Sequence, residues 1–454
     1  MSKTIKLNKG FDINLAGKPE KKLEETKQPE TFALKPTDFI GISRPKLLIK
    51  EGDNVKAGDP LLYDKFNEDI KYCAPVSGEI AEIRRGEKRK LLEIRILADK
   101  KITYKKFKKF SSSDITKVSK EDAAKLMAEG GVWPNIIQRP YGIVADPEVS
   151  PKSIYISAFD SSPLAPDSAF TLQGKESYFQ TGLDILKKFT KGSVHLNLNA
   201  NEEVAQVFSQ AKGVELNKFS GPHPVGNVGV QIHHIDPINK GDIVWTVTPY
   251  GVVQIGKLFL DGEYDASKII ALTGSELKTP VYTKTYSGAQ LGKLIEGNLN
   301  NDHVRVISGN VLTGEAVGKE GYLGHYHHQV TVIPEGDYEE MFGWILPTTN
   351  KLSFHRAFGL LGFLNSKKEF KVDTNMHGEE RSFVMTGAFE RVLPMDIYPT
   401  YLFKAIMAED FDDMEGLGIF EVIEEDVALC EFIDVSKHSL QEILRTGLNL
   451  LKNS

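Results

Sequence analysis

The chain has 454 residues, 41% of them apolar and 26% charged, an ordinary composition for a globular protein of about three or four domains. Its net charge of −6, from 56 basic and 62 acidic residues, argues against a dedicated nucleic-acid-binding protein. Two cysteines, Cys73 and Cys430, are too few for an iron–sulfur cluster, a four-cysteine zinc site or dithiol chemistry, and they favour a reducing compartment.

The sequence predicts neither a membrane span nor export. The longest run without charged residues or histidine, IVWTVTPYGVVQIG (243–256), is shorter than the roughly 20 apolar residues of a spanning helix. The N-terminal MSKTIKLNKG lacks the apolar core of a signal peptide. Two basic runs, RRGEKRK (84–90) and YKKFKKF (104–110), are interpreted as a hairpin and a solvated linker, with contact to anionic lipid headgroups as the alternative. We expect any membrane role to be peripheral.

The segment 47–80 is predicted to form short strands joined by tight turns, because turn-forming residues recur along it. It resembles the flattened β-barrel that carries lipoyl or biotinyl groups on a lysine at a hairpin tip. Counting back from Ala74 by the carrier spacing gives Asn67, which cannot be acylated, and Lys65 lies two places away. The sequence therefore predicts a carrier-shaped module without acylation chemistry.

The middle of the chain has the pattern of a Rossmann-like parallel sheet. Ser119 is predicted to cap a helix over 120–129 that ends at Gly130. Strands and helices then alternate with short connections, which favours parallel strands with right-handed crossovers. The predicted strands cover 153–159, 193–199 and 214–219, and the predicted helices cover 176–189 and 201–213.

The glycine loop of a dinucleotide site is missing from this region. The turn after the first predicted strand, FDSSPLAPDSAF (159–170), contains no glycine. The segment GPHPVGNVGVQIHH (221–234) has glycines at the wrong spacing, and we expect no clean helix behind it. The sequence predicts a Rossmann-like fold that has lost its nucleotide site.

The last part of the chain is predicted to change architecture twice. From about Gly256 the pattern becomes short strands and turns with a brief helix near 289–296, which suggests a β-grasp-like module. Ser436 is predicted to cap an amphipathic C-terminal helix with Leu440, Leu444 and Leu448 on one face. The predicted domains are the biotinyl/lipoyl-like barrel-sandwich with an N-terminal extension, the Rossmann-like α/β domain, the β-grasp-like domain and a partly helical domain, at 1–103, 104–255, 256–335 and 336–454.

Neither a catalytic nor a metal site is predicted from the sequence. His325 and His327 would share one face of a strand, beside His328, but no cysteine or carboxylate stands at ligand spacing. His233 and His234 would point to opposite faces of a strand, so we interpret all five histidines as structural or surface residues. The acidic run 409–418 lacks the ligand pattern of a calcium loop and is interpreted as a solvated helix end or docking patch.

The loop GGVWPNIIQRPYG (130–142) is the candidate ligand site. Trp133 and Tyr141 supply flat apolar surfaces, and Arg139 beside Pro140 supplies a directed donor. Such a combination suits a ring that bears carbonyl groups, such as a quinone. The alternative is an interdomain hinge packed by its own aromatic residues.

Long stretches of the chain resemble the A subunits of the sodium-pumping NADH:quinone reductase, a bacterial membrane complex also called Na⁺-NQR. The similarity covers nearly the whole chain and is dispersed along it, which makes it far more specific than any short motif. The stretches are GFDINLAGKP, GGVWPNIIQRPYGIVADP, GPHPVGNVGVQIHHIDP, VWTVTPYGVVQIGKLF, RVISGNVLTG and DFDDMEGLGIFEVIEEDVALCEF.

The resemblance implies a hydrophilic, peripheral subunit on the cytoplasmic face of the bacterial inner membrane, bound to integral and peripheral partner subunits. In that complex, electrons pass from NADH through flavins and an Fe–S centre of the partners to a quinone, and Na⁺ is exported. The family is similar to the C subunit of the Rnf complex and to the flavin-binding subunit of respiratory complex I. Those relatives carry cysteine-ligated clusters, whereas here CEFIDVSK (430–437) has Asp434 and Val435 in place of Cys and Pro.

We therefore expect a chain that binds no cofactor of its own, is not catalytic alone, docks on membrane subunits and helps to shape quinone access. A quinone-binding role is implied for the family, and the loop around Arg139 and Tyr141 is where we expect it. The alternative is a purely structural scaffold, with quinone bound entirely by integral membrane subunits. A free-standing nucleotide-binding enzyme is a third possibility, which the missing glycine turn disfavours.

Overall fold

The computed structural model describes residues 3–343, 351–355 and 368–453. Parts of the predicted C-terminal domain, 336–454, therefore lie outside the described residues. Within these ranges, no helix is both long enough and apolar enough to cross a membrane.

The strands of the described residues are grouped into four sheets. In chain order they are β1 Thr4–Lys6, β2 Glu20–Leu23, β3 Thr31–Leu34, β4 Pro45–Leu47, β5 Asn54–Val55, β6 Pro60–Asp64, β7 Asn67–Cys73, β8 Gly78–Arg85, β9 Leu91–Ala98, β10 Ile136–Arg139, β11 Ile143–Val144, β12 Ile154–Ser157, β13 Val194–Asn199, β14 Glu215–Ser220, β15 Val244–Val247, β16 Ser267–Thr273, β17 Val281–Tyr286, β18 Val304–Ser308, β19 Glu315–Ala316 and β20 Gln329–Pro334.

The helices are concentrated around the middle sheet and at the C-terminus. In chain order they are α1 Lys120–Glu129, α2 Ser168–Thr171, α3 Glu176–Leu186, α4 Gln206–Ser209, α5 Val228–Ile235, α6 Pro249–Asp261, α7 Leu291–Leu294, α8 Phe389–Val392, α9 Pro399–Met407, α10 Phe411–Gly416, α11 Glu424–Ile433 and α12 Leu440–Asn453.

The largest sheet has the strand order β1-β14-β13-β12-β15-β10-β11. The first five strands run parallel, and β10 and β11 extend the sheet in antiparallel fashion. From β12 the chain adds β13 and β14 on one side, whereas β15 lies on the other side. The order therefore reverses between β12 and β15, and the crevice outside their carboxyl ends is the usual ligand position of open α/β sheets.

Two helices beside this crevice, α3 and α6, pack at glycine contacts. A Cβ on Gly182 would lie 2.1 Å from the Val252 carbonyl oxygen, and a Cβ on Gly256 would lie 1.9 Å from the Tyr178 carbonyl oxygen. Only glycine permits such an approach of backbone to backbone. The contact fixes Tyr178 close to α6.

The local predictions for this region are confirmed in part. Ser119 accepts a hydrogen bond from Asp122 N and caps α1, as expected. The predicted helix over 201–213 is wrong for most of its length, because only α4 is helical and the Asn199 side chain accepts from Asn201 N in a local turn. The prediction of no helix behind 221–234 is also wrong, because α5 lies there.

The prediction of short strands from Gly256 onward is wrong at its start, because 256–261 is the end of α6. Thr248 accepts from Gly251 N at 3.1 Å and Pro249 occupies the first helical position, so the helix begins there and runs to Asp261. The brief helix expected near 289–296 is confirmed as the short α7.

The amphipathic C-terminal helix is confirmed, but its predicted cap is wrong. Leu440, Leu444 and Leu448 are buried on one face of α12. Ser436 Oγ instead donates to Ser382 O, and the Glu431 carboxylate accepts from Gln441 N at 2.8 Å at the start of the helix.

The first hundred residues contribute two small sheets, β3-β9-β8-β5 and β4-β6-β7. Asp64 pairs with Asn67 across the β6–β7 hairpin, so Lys65 and Phe66 form its turn. The count that placed Asn67 at the tip is therefore wrong. Register irregularities in this hairpin add residues that a carrier spacing does not allow for.

Segments distant in sequence complete the remaining layers. A six-stranded sheet has the order β19-β18-β20-β16-β17-β2, and β1 and β2 thus pair with strands far along the chain. The C-terminal helices share an apolar core with Leu7 and Ile13 of the N-terminal segment. The chain termini therefore pack around the middle sheet.

Candidate functional site

Trp133 is part of the apolar core below the large sheet. It is fully buried, and its indole Nε1 donates to the Ala145 carbonyl at 2.7 Å. Phe189 and Trp245 lie edge-on to its ring at 5.4 and 5.7 Å. All faces of the indole are thus in contact with protein, as expected for a packing residue.

Arg139, at the end of β10, is 1% exposed and forms a buried ion-paired junction with α11. Its Nη1 donates to Asp426 Oδ2 at 2.7 Å, and its Nη2 pairs with Glu425. Asp426 also caps α11 by accepting from Ile423 N at 3.0 Å. We call Arg139, Glu425 and Asp426 the junction, because they join the sheet to the C-terminal helices.

Pro140 and Tyr141 connect this junction to the next turn. Pro140 is buried and follows a cis peptide bond. Tyr141 is half-buried with φ of 80°, its ring lies edge-on to Phe420 at 6.4 Å, and its carbonyl accepts from Arg445 Nη1 at 2.7 Å. Burial raises the pKa of the Tyr141 hydroxyl. Both residues stabilise the contact between β10 and the C-terminal helices.

A cavity of about 940 Å³ lies where the strand order reverses. Its walls include Ser157 at the end of β12, Val247 at the end of β15 and Pro249 at the start of α6. Of the four predicted site residues, Arg139 lines this cavity, whereas Trp133, Pro140 and Tyr141 are not part of its lining. The structure therefore brings one of the predicted residues to this cavity.

His223 lines the same cavity and was not predicted as a site residue. It is 3% exposed, and its Nδ1 lies 3.0 Å from Ser161 Oγ. Because Gly226 N already donates to Ser161 Oγ at 2.8 Å, the serine hydrogen is free to point to Nδ1. With Ser161 Oγ as the donor, the neutral ring carries its hydrogen on Nε2, which has no partner among the described residues. Burial lowers the pKa of His223 and keeps the ring neutral.

Carboxylates surround His223 and the junction at this end of the cavity. Asp160, Glu424 and Glu425 all line it. Burial raises the pKa of the Glu425 carboxyl, against the opposing attraction of Arg139. Glu424 is held by a bidentate pair with Arg445. Most of the charged side chains here form ion pairs with one another.

The histidines at 325–328 form a turn before β20 and not the predicted strand. Lys268 of β16, 2% exposed, donates from Nζ to the carbonyl oxygens of His325 at 2.8 Å and His327 at 3.2 Å. Burial lowers the pKa of His325 to about 3, that of His327 to about 4 and that of Lys268 to about 7. The buried lysine thus bonds the backbone of this turn to β16, which supports a structural role for the turn.

The other predicted histidine pair lies on α5. His233 Nδ1 is 2.7 Å from Glu421 Oε2, and His234 Nε2 is 2.8 Å from the Pro394 carbonyl, so both rings hold α5 against the C-terminal segment. Within the described ranges, no group of three or more His, Cys, Asp or Glu side chains is arranged to hold a metal ion. The acidic run 409–418 forms α10, with Asp410 as its N-cap.

The sequence does contain a signal for the cavity. Polar residues follow the carboxyl ends of three parallel strands, namely Ser161 after β12, His223 after β14 and Thr248 after β15. Carboxyl ends of parallel strands meet at one edge of a sheet. The sequence prediction placed no ligand site at that edge, because the glycine loop of a nucleotide site is missing there.

Three family models match the chain. The NqrA N-terminal barrel-sandwich hybrid domain matches residues 5–99, the NqrA second alpha/beta domain matches residues 118–264, and the NQRA C-terminal domain matches residues 269–319. The predicted multidomain α/β architecture with an N-terminal barrel-sandwich is thereby confirmed.

Full-length relatives agree with these matches. The A subunit of the Na(+)-translocating NADH-quinone reductase of Yersinia pestis bv. Antiqua (strain Angola) is 37% identical over 451 residues, 99% of each chain. The protein of the same name from Pasteurella multocida (strain Pm70) is 36% identical over 451 residues, again 99% of each chain. A solved NAD⁺-reducing NiFe hydrogenase in the air-oxidized state aligns at 10% identity and a TM-score of 0.38, covering 78% of this chain and 67% of the other, a likeness too weak to support an inference. The chain belongs to the NqrA family, the A subunits of the Na⁺-translocating NADH-quinone reductases.

Proposed function

We propose that the chain acts as the peripheral NqrA component of a Na⁺-translocating NADH-quinone reductase, on the cytoplasmic face of the bacterial inner membrane. NADH, flavins and the Fe–S centre belong to partner subunits, and the chain docks on integral ones. Family membership over the full length supports this proposal. The same proposal includes three finer points. They are the relation to the C subunit of the Rnf complex and to the complex I flavin subunit, the β-grasp-like module, and the domain limits 1–103, 104–255, 256–335 and 336–454.

We further propose that the quinone ring binds in the cavity between β12 and β15. A quinone needs apolar walls for its ring and a donor for a carbonyl oxygen. Ile137, Val228 and Ile423 supply apolar wall surface at the end of the cavity that holds His223 and the junction. The observation that carries the proposal is the buried Nε2 of His223, a donor without a partner among the described residues, on the wall of this cavity.

His223 is suited to a carbonyl acceptor in the tautomer in which Ser161 Oγ donates to Nδ1. Nε2–H is then available for an oxygen in the cavity. A hydrogen bond to a quinone oxygen stabilises the negative charge that develops there as the ring is reduced. An unpaired buried donor otherwise carries a desolvation cost, which a bound carbonyl would remove.

Arg139 has a different role in this proposal from the one that the sequence suggested. Its two terminal nitrogens are engaged with Asp426 and Glu425, and its Nε alone has no partner among the described residues, so Arg139 mainly positions the cavity wall. Trp133 and Tyr141 act through the packing of the same loop. The four predicted residues, Trp133, Arg139, Pro140 and Tyr141, remain quinone-site candidates as supports of the wall.

The first experiment is photo-crosslinking of an azido-quinone to the intact complex, with peptide mapping and competition by unlabelled quinone. Competed label within 157–162, 223–228 or 423–428 supports the cavity. Competed label confined to 130–147 would move the site to the aromatic loop. Label only on membrane subunits would favour the alternative of a structural scaffold and overturn the quinone proposal.

A matched pair of variants tests the donor. His223→Gln in the assembled complex is expected to raise the quinone KM about threefold to tenfold, the value of one hydrogen bond. His303→Gln is the control, because His303 is exposed, pairs with Asp337 and does not line the cavity. Equal quinone KM values for both variants would remove His223 from the site.

A further inference from the structure

The end of the cavity away from the junction is lined by lysines. Lys175 at the N-cap of α3, Lys257 of α6 and Lys284 of β17 all lie on its wall, together with Tyr178. We call the three lysines the lysine corner. Three separate elements thus bring cations to one concave place.

The nearby carboxylates neutralise this corner only in part. Asp265 pairs with Lys257 and also accepts from Ser267 N at 2.8 Å, and Asp261 also lines the cavity, so two carboxylates stand against three lysines. For the ammonium groups of Lys175 and Lys284, the described residues provide no carboxylate within ion-pair distance. The protein therefore leaves a surplus of positive charge at this end of the cavity.

Lys175 lies close to the other cations of the corner. Its Nζ lies 5.9 Å from the centroid of the Tyr178 ring, and Lys257 Nζ lies 5.8 Å from the same centroid, so two cations share one ring. Burial lowers the pKa of Lys175, and repulsion from Lys257 and Lys284 lowers it further, against the opposing attraction of Asp265 and Asp261. The N-cap of a helix is also an unfavourable place for a cation, because the helix dipole is positive there. An anion in this corner would relieve all three effects.

We propose that the lysine corner binds the phosphate monoester of a small, ring-bearing molecule, with the phosphate between Lys175 and Lys284 and the ring against Tyr178. Ammonium groups bind phosphate as point charges. The lysines would supply the charge that backbone amides of a glycine loop supply in other α/β sheets, a loop that 159–170 lacks. The site is separate from the proposed quinone position and does not depend on it, since it uses the opposite end of the same cavity.

The size of the cavity is compatible with this ligand. Small-molecule sites are typically about 300–1,000 Å³, and this cavity of about 940 Å³ reaches the upper part of that range. The cavity as a whole lies outside the carboxyl ends of β12 and β15, the usual ligand position of open α/β sheets. The phosphate monoester is preferred over a carboxylate because its second negative charge matches two unpaired ammonium groups.

The test is calorimetric titration of the full chain with AMP, adenosine and inorganic phosphate. AMP is expected to bind, adenosine to bind at least about tenfold more weakly, and the affinity for AMP to fall as salt is raised. Lys175→Met is expected to weaken AMP about tenfold or more, since it removes one charge-assisted contact. Lys191→Met is the control, because Lys191 is exposed and does not line the cavity.

Each alternative result would overturn the proposal. AMP and adenosine binding equally well would show that the ring alone is recognised. No binding of AMP or phosphate up to about 1 mM, an affinity weaker than about 4 kcal/mol, would show that the corner takes no phosphate. AMP binding unchanged in Lys175→Met and also in Lys284→Met, with both variants folded, would place the anion elsewhere.

Discussion

The junction and the lysine corner lie on the wall of one cavity. The junction pairs opposite charges, whereas the corner brings like charges together. In the junction, Arg139 meets Asp426 at 2.7 Å and also pairs with Glu425, so each charge has a partner of opposite sign. In the corner, Lys175 and Lys284 face other cations. Paired charges join two parts of the fold, whereas charges without a partner remain available to bind a ligand. This contrast separates structural residues from ligand-binding residues more clearly than residue type does.

The largest effect is expected at the junction. Arg139→Met leaves the buried Asp426 without its cation, and breaking a buried pair in this way costs about 3–5 kcal/mol of unfolding free energy. Urea unfolding followed by circular dichroism measures it, with Arg381→Met at an exposed position as the control. Adding Asp426→Asn removes the orphaned charge and keeps an oxygen to cap α11, so the double variant should recover part of the loss. A loss below about 1 kcal/mol for Arg139→Met would contradict a structural role for the junction.

The histidine turn at 325–328 should make stability depend on pH. Burial lowers the pKa of His325 to about 3 and that of His327 to about 4, below the ordinary value of about 6.5. Between those values the unfolded chain binds protons that the folded chain does not, so stability falls as the pH drops below about 6.5. Each ring adds a slope of about 1.4 kcal/mol per pH unit.

The measurement is the unfolding free energy at a series of pH values from neutral to moderately acidic. His327→Gln should give a shallower decline than the unsubstituted chain, because one buried neutral ring is gone. Gln can still accept the hydrogen bond from Ser308 Oγ, which lies 2.8 Å from His327 Nδ1. The same pH slope in both proteins would mean that this ring is not protonated on unfolding.

Sequence reasoning succeeded where the determining interactions are local. The helix over 120–129 follows from Ser119 as its N-cap and Gly130 as its C-cap, and both are confirmed. The strands over 154–157 and 194–199 follow from short apolar runs. A family resemblance carried by long, dispersed stretches was confirmed by the full-length matches.

It failed where partners are distant along the chain. Arg139 pairs with Asp426, 287 residues later, and no local pattern reveals that a loop arginine is already occupied. Trp133 looked like an exposed stacking surface, but Phe189 and Trp245 enclose it. The corner needs α3, α6 and β17 in place before its lysines meet. Burial and charge balance are properties of the folded chain, so the sequence alone could not sort these residues.

A smaller effect on stability is expected at His223, which tests whether an unpaired group behaves differently from a paired one. His223→Gln removes the hydrogen bond with Ser161 but also removes a buried nitrogen without a partner among the described residues, and the two changes oppose each other. The net change in unfolding free energy should be within about 1 kcal/mol. Urea unfolding measures it beside Arg139→Met. A loss comparable with that of Arg139→Met would place His223 with the structural residues and weaken the contrast between the two clusters.

The smallest effect should also have the opposite sign. Lys175→Met removes a cation from the N-cap of α3 and from the neighbourhood of Lys257 and Lys284, so it should stabilise the chain by about 0.3–1 kcal/mol. This gain in stability should be smaller in about 1 M salt, because charges more than about 3 Å apart are screened there. Thermal unfolding of Lys175→Met beside Lys191→Met measures both. If Lys175→Met destabilises the chain, the lysine has a structural partner and the corner is not in surplus. If it stabilises the chain and also abolishes AMP binding, Lys175 is kept for a ligand at a cost to the fold, as expected for a binding residue and not for a structural one.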